Sequence, residues 1–375
     1  MPALHQSIDP DGLLEYSVVF TDRSLNHMSR TFQQVMRDVS ASLKAVYHAD
    51  AVALVPGGGT FAMEAVARQF AGGKSVLILR NGLFSFRWSA ILDAAGIAAG
   101  QTVLKAHPVS AERHAPWVPA PLEEVTAAIR SQRPAVVFAP HVETSAGIML
   151  PDDYVRAVGE ATREVDGVFV LDCVASGAAW VDMEACAVDV LVSAPQKGWS
   201  STPCAGLVML NDRARTRAAE TQSSSFACDL MAWLGIMEAY ESGGHAYYAT
   251  LPTDSLRTFR DAIRELEAMG LQTARDRQLE LGNRVRALLA ERGFASVAGP
   301  GYEAPGVVVS YTDDDDIRTG KAFAAAGLQI AAGVPLKCDE PPDFATFRIG
   351  LFGLDKLQNV DRTVELLRDA LDRIG

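Results

Sequence analysis

Three short stretches of this sequence carry residue types that could do chemistry. Gly57-Gly58-Gly59-Thr60 falls between an apolar run and a helical stretch. Glycines there let the backbone approach an anion, and the next helix start offers unpaired N–H groups and a positive dipole end. Asp172 ends the apolar run GVFVLD, where a buried carboxylate is costly unless a cation faces it. Lys197 follows the apolar run VDVLVS, within SAPQKG (193–198). A lysine just past a buried strand can be partly desolvated, which favours the neutral amine, the form that attacks an aldehyde. Taken singly, each has a plainer reading: a tight turn, a helix cap or surface ion pair, a solvated charge. Two phosphate motifs do not fit. GxGxxG fails at Ala62, and Gly73-Lys74-Ser75 has Arg68 where a Walker A loop needs its first glycine and a strand where it needs a helix.

Elements must hold these residues in place. Ala51–Val55, Val76–Leu79, Ala135–Ala139, Val168–Leu171, Val188–Val192 and Leu207–Leu210 read as buried strands. A first helix is expected over 30–48, and others between the strands over 61–70, 85–95, 121–131 and 152–164. This alternation predicts an α/β fold on a large, mostly parallel sheet covered by helices. Ligands in such folds bind beyond the carboxyl ends of the strands, where the three stretches fall. From residue 253 the pattern changes to helices over 253–269 and 276–292, a strand over 306–311, a helix over 317–326, a strand over 346–351 and a last helix over 357–374. That predicts a smaller α+β unit. The expected division is an N-terminal segment over 1–21, a large domain over 22–270 and a small C-terminal domain over 271–375. The acidic run Asp313–Asp316 just before a helix is expected to complement its dipole and stay solvated, not to hold a metal.

Composition narrows the partners. A formal charge of −12 over 375 residues argues against nucleic acid and anionic membrane, which need clustered Lys and Arg. No apolar stretch approaches the ~18 residues of a membrane span, and the start MPALHQSIDPDGLLEY has no secretory pattern. The five cysteines, Cys173, Cys186, Cys204, Cys228 and Cys338, are scattered with no CxxC pair. They are expected to be free thiols in a reducing cytoplasm.

The order of glycine loop, strand-end Asp and strand-end Lys 25 residues later is accompanied by GGGTFAMEA (57–65), NGLFSFRW (81–88), HVETSAGIMLP (141–151), LDCVASG (171–177), YYATLP (247–252) and FRIGLFG (347–353). Together with SAPQKG these resemble the class V aminotransferases, fold-type I enzymes of pyridoxal 5′-phosphate, and among them the alanine–glyoxylate and serine–pyruvate enzymes. The resemblance implies transfer of an amino group from a small amino acid to a 2-oxo acid such as glyoxylate or pyruvate. It implies that Lys197 holds the cofactor as a Schiff base and Asp172 pairs with its ring nitrogen. Gly58, Gly59, Thr60 and Gln196 would lie at the phosphate, with Gly58 standing where relatives often carry Ser. Phe84 and Val174 would cover the two ring faces, and Thr144 would sit near the phenolic oxygen or the substrate carboxylate. Arg348 would bind the substrate carboxylate. Tyr247 and Thr250 would reach the phosphate of a partner subunit's cofactor, which implies a homodimer. Two related activities remain open: a 2-aminoethylphosphonate–pyruvate transaminase, and a class V lyase of the cysteine desulfurase kind, against which Gln196 speaks because those enzymes carry His before the lysine. The segment over 15–29 lacks the family's glycine-proline stretch. Its Arg23 is a candidate for a second acidic group on the substrate, or else a surface charge.

Overall fold

The computed structural model describes residues 5–375. Residues 5–29 form turns and extended chain, tied down by a few polar contacts. The Thr31 hydroxyl donates to Asp9 (3.0 Å), Arg257 to the Ile8 carbonyl (2.6 Å), and Asn26 to the Glu15 carboxylate (2.7 Å). Helix α1 (Arg30–Tyr47) then starts where the Ser29 hydroxyl accepts the Phe32 N–H, an N-cap that satisfies one of the donors a helix start leaves free. Its residues Phe32, Val35, Met36, Val39 and Leu43 are buried, one face of a 3.6-residue period.

Seven strands form the main sheet: β1 (Ala51–Pro56), β2 (Ser75–Arg80), β3 (Gly100–Lys105), β4 (Val136–Pro140), β5 (Val168–Asp172), β6 (Val190–Ser193) and β7 (Ala205–Leu210). Their order in space is β3-β2-β4-β5-β6-β7-β1. All neighbours pair in parallel except β7, which runs antiparallel to both β6 and β1. The central strands are buried along their length, as a sheet covered by helices requires. Helices α2 (Gly59–Phe70), α3 (Leu83–Ala94), α4 (Leu122–Gln132) and α5 (Asp152–Glu164) alternate with the first strands. Chain order reverses between β2 and β4, which makes the carboxyl ends of β2, β4, β5 and β6 the crevice of this sheet. Pro140 and Val192 stand opposite Asp172 in register, so the loops that leave these strands meet at one level.

Two helices after β7 complete this part, α6 (Asp212–Ala219) and α7 (Leu230–Glu241), and α7 packs against β1 and α1. Helix α8 (Thr253–Met269) runs against α1. Gly270, at φ +91°, separates it from α9 (Leu271–Glu291). A three-stranded antiparallel sheet follows, with β8 (Val307–Tyr311), β9 (Ala331–Ala332) and β10 (Thr346–Gly350) in the order β8-β10-β9. It is closed by α10 (Val360–Ile374). The helix expected over 317–326 is broken: Asp315–Arg318 and Lys321–Ala325 are separate short turns because Gly320 adopts φ +81°. The acidic run does local work. Asp314 accepts the Asp316 and Ile317 N–H groups, and Asp313 pairs with Arg113. All five cysteines are buried and unpaired. No helix among the described residues is long and apolar enough to cross a membrane.

Candidate active site

A cavity of about 230 Å³ opens beyond the carboxyl ends of the central strands, lined by Gly59, Thr60, Phe84, Thr144, Asp172, Val174, Gln196 and Lys197 among others. Eight of the residues singled out in the sequence therefore meet in one place. Gly58 precedes it in extended conformation as the cap residue of α2. Tyr247 and Thr250 lie elsewhere on the surface, hydrogen-bonded to each other at 3.2 Å. Arg23 is exposed and outside the cavity.

Lys197 sits on the loop that leaves β6. That loop can approach the one after β5 only because Gly198 has no side chain: a Cβ there would stand 2.0 Å from the Gly177 carbonyl oxygen. The Lys197 amine is half-buried, 5.1 Å from the Phe352 ring centroid. Burial and then the Arg348 charge lower its pKa, which favours the neutral, nucleophilic form. Asp172 is buried at the end of β5, its Oδ1 accepting the Val174 N–H at 2.9 Å. Burial pushes its carboxyl up to about 6. The Val174 hydrogen bond and the Arg87 charge pull the other way, while Glu143 adds to the rise. Neighbouring His141 is held neutral by burial and by Arg275, down to about 4. Its Nδ1 lies 2.7 Å from the Ser176 hydroxyl and its backbone N–H donates to the Asp172 carbonyl.

Arg348, on β10, donates from Nε to the Ala332 carbonyl at 2.8 Å and lies 5.7 Å from the Phe84 ring centroid. Phe84 itself is delivered by the first turn of α3, and that turn is held by Glu143, which the sequence reading did not single out. The fully buried Glu143 carboxylate accepts the Phe84 N–H (3.1 Å), the Ser85 N–H (2.8 Å) and the hydroxyls of Ser85 and Ser145 (2.7 Å each). A carboxylate at a helix start is favoured by the helix dipole as well as by the free N–H groups. Arg87, also not singled out, lines the cavity and donates to the Thr60 hydroxyl at 2.9 Å. It stands three residues after Phe84 in NGLFSFRW, on the same face of the helix, a spacing that could have shown it.

The comparisons with known proteins bear on this arrangement. Residues 13–341 match the family model described as Aminotransferase class-V. The chain belongs to the class V aminotransferases. It is similar to the alanine–glyoxylate aminotransferase of Rattus norvegicus, 26% identical over 93% of this chain and 82% of the relative. It is similar to the 2-aminoethylphosphonate–pyruvate transaminase 2 of Paraburkholderia xenovorans (strain LB400), 29% identical over 92% of this chain and 90% of that one. Among solved structures, the alanine–glyoxylate aminotransferase of Nostoc sp. superposes with a TM-score of 0.76 at 26% identity, covering 92% of this chain and 88% of that one.

The aminotransferase has the fold-type I architecture and depends on pyridoxal 5′-phosphate. Its cavity suits that group. Asp172 is a buried carboxylate on the cavity wall with no Lys or Arg ion-paired to it among the described residues, a position that a protonated ring nitrogen would satisfy. Gln196 also lines the cavity, and its side-chain amide carries N–H donors for a phosphate oxygen.

Proposed function

We propose that this aminotransferase takes the amino group of a small amino acid of the alanine or serine type and passes it to a short 2-oxo acid such as glyoxylate or pyruvate. The likeness to alanine–glyoxylate aminotransferases along nearly the whole chain carries this reading. Arg348 stands beside Phe84 and its charge acts on Lys197, so a carboxylate held there brings its α-amine to the lysine. Pyridoxal phosphate, when bound, supplies an aldehyde that condenses with amines and a ring that accepts the electrons of a broken Cα–H bond. Lys197 presents its partly desolvated amine to that aldehyde. Lys197, once its amine is released by an incoming amino acid, would take up the proton leaving the substrate Cα. Asp172 would keep a proton on the ring nitrogen, and Phe84 and Val174 would confine the ring from two sides. The Arg348 fork grips the substrate carboxylate with two parallel hydrogen bonds, which orients Cα for deprotonation.

The 29% identity to a 2-aminoethylphosphonate–pyruvate transaminase favours a second reading, in which the donor carries a phosphonate. A panel of alanine, serine, aspartate and 2-aminoethylphosphonate, mixed with the yellow enzyme, separates the two. Alanine and serine should bleach the cofactor absorbance within one turnover. Bleaching by the phosphonate alone would select the second reading. We further propose a homodimer in which Tyr247 and Thr250 of each subunit reach the cofactor phosphate of the other. Their mutual hydrogen bond outside their own cavity and the exposed apolar side chains of the N-terminal segment support it.

A further inference from the structure

Two guanidinium groups flank Phe84, and only Arg348 has a task so far. Arg87 lies 5.3 Å from the Phe84 ring centroid, and among the described residues it makes no ion pair with a carboxylate. Arg87 lines the cavity half-buried with no carboxylate against it, which leaves its other N–H donors to a negative group held in the cavity. Arg87 lines the cavity, whereas Arg348 stands beside Phe84 outside that lining. The Arg348 charge bears on Lys197, where the substrate amine must arrive. The Arg87 charge bears on Asp172 instead, and its Nη1 touches Thr60 in the first turn of α2. That helix begins without a side-chain cap, leaving its first N–H groups and its dipole directed at the same place. The Thr60 oxygen accepts from Arg87, which leaves the Thr60 proton to donate onward. Gly58 offers no hydroxyl there.

We propose that Arg87 is the cation of the phosphate end of the cofactor site, acting with the Thr60 hydroxyl and the start of α2. The inference rests on the reading that pyridoxal phosphate lies between Phe84 and Val174. A phosphate monoester carries about −1.5 to −2 charges at neutral pH, far more than the roughly half charge of a helix start offsets. A guanidinium adds both charge and paired donors. Because Arg87 and Phe84 leave the same face of α3, the turn held by Glu143 delivers ring wall and phosphate cation together.

The test is equilibrium binding to cofactor-free protein, followed by the absorbance of the Lys197 adduct, with pyridoxal phosphate and with pyridoxal, which lacks the phosphate. Arg87→Gln should weaken pyridoxal phosphate about 10–100-fold, the scale of a lost charge-assisted hydrogen bond. It should leave pyridoxal affinity within about twofold, since that ligand never used the pair. Arg87→Lys, which keeps the charge and loses the fork, should fall between, and it serves if Arg87→Gln does not fold. Equal losses for both ligands, or unchanged pyridoxal phosphate affinity in a folded variant, would overturn the inference. Unchanged affinity with a KM rise confined to aspartate and 2-aminoethylphosphonate would assign Arg87 to a second substrate anion and overturn it as well. Wild-type protein that takes up neither ligand would instead refute the underlying cofactor placement.

Discussion

A lysine attacks a carbonyl only when it is uncharged, and a carboxylate holds a proton on a pyridine only while it is ionised, so this site needs opposite treatment of two buried groups. Burial acts on both: it lowers Lys197, as required, and raises Asp172 to about 6. A cationic ring nitrogen would restore the ionised form of Asp172. Without cofactor, the ionised Asp172 is a liability. A carboxyl raised in the folded state contributes stability below its unfolded pKa of about 4 and loses it as pH climbs through its folded value. Cofactor-free Asp172→Asn should therefore be more stable than wild type at pH 8 by about 3 kcal/mol. The advantage should grow between pH 4 and 6 and vanish below, as urea unfolding at several pH values would read; no difference at pH 8 would refute it. The same variant should lose turnover by orders of magnitude. Borohydride reduction and peptide mapping should put the cofactor mark on Lys197 and on no other lysine. Arg348→Lys keeps the charge but not the fork and should cost about 2–4 kcal/mol in kcat/KM. Asp172 and Lys197 were legible in the sequence because a charge at the end of an apolar run is conspicuous. Arg87 was legible only through its spacing after Phe84, and Glu143 was not legible at all, because its role depends on how the start of α3 is turned toward β4.

At the scale of elements, the start of α3 deserves a test of its own. Gly82 lies so close to the loop after β4 that a Cβ would stand 2.0 Å from Ser145 Oγ and 2.7 Å from Glu143 Cγ. Gly82→Ala must push apart the carboxylate and the N–H groups it accepts, and should destabilise the protein by about 3 kcal/mol or more. Glu143→Gln offers one acceptor oxygen where two now serve, plus an amide that faces donors, and should cost about 2–4 kcal/mol. Cofactor affinity should fall in both variants because Phe84 moves with the turn; urea midpoints equal to wild type would count against this account. The sheet was readable from its apolar runs, since buried parallel strands carry them without alternation. Among the elements that were not, three show why in their sequences. β3 is a partly exposed edge with the mixed sequence GQTVLK, and α6 is almost wholly polar or small (DRARTRAA). α7 (LMAWLGIMEAYE) is apolar on several faces, so none of these carries a clear period. The helix over 317–326 was overread because its apolar spacing continues across Gly320, whose φ +81° no helix accepts.

The whole molecule leaves surface that a lone chain explains poorly. Leu13, Tyr16 and Val18 are 87%, 89% and 101% exposed, and Phe226 and Tyr247 are also exposed. Large apolar side chains left exposed in this number usually meet another protein. His27 links the patch to the neighbourhood of Tyr247, its ring centroid 5.5 Å from Phe20 and 5.5 Å from Tyr247. In a symmetric dimer such a patch meets its own copy, so each chain would give Tyr247 and Thr250 to one site and Lys197 to the other. Complementation then distinguishes a shared site from a self-contained one. A Lys197→Ala chain lacks the amine but keeps a sound Tyr247/Thr250 pair. A Tyr247→Phe/Thr250→Ala chain lacks the pair but keeps the amine. Mixed after mild dissociation and reassociation, the two should form hybrids in which one site joins intact Lys197 with an intact pair and the other joins both defects. One working site in two, in about half of the molecules, predicts recovery to roughly a quarter of wild-type activity. Activity no greater than the sum of the separate variants, or a fully active monomer by light scattering, would refute the shared site.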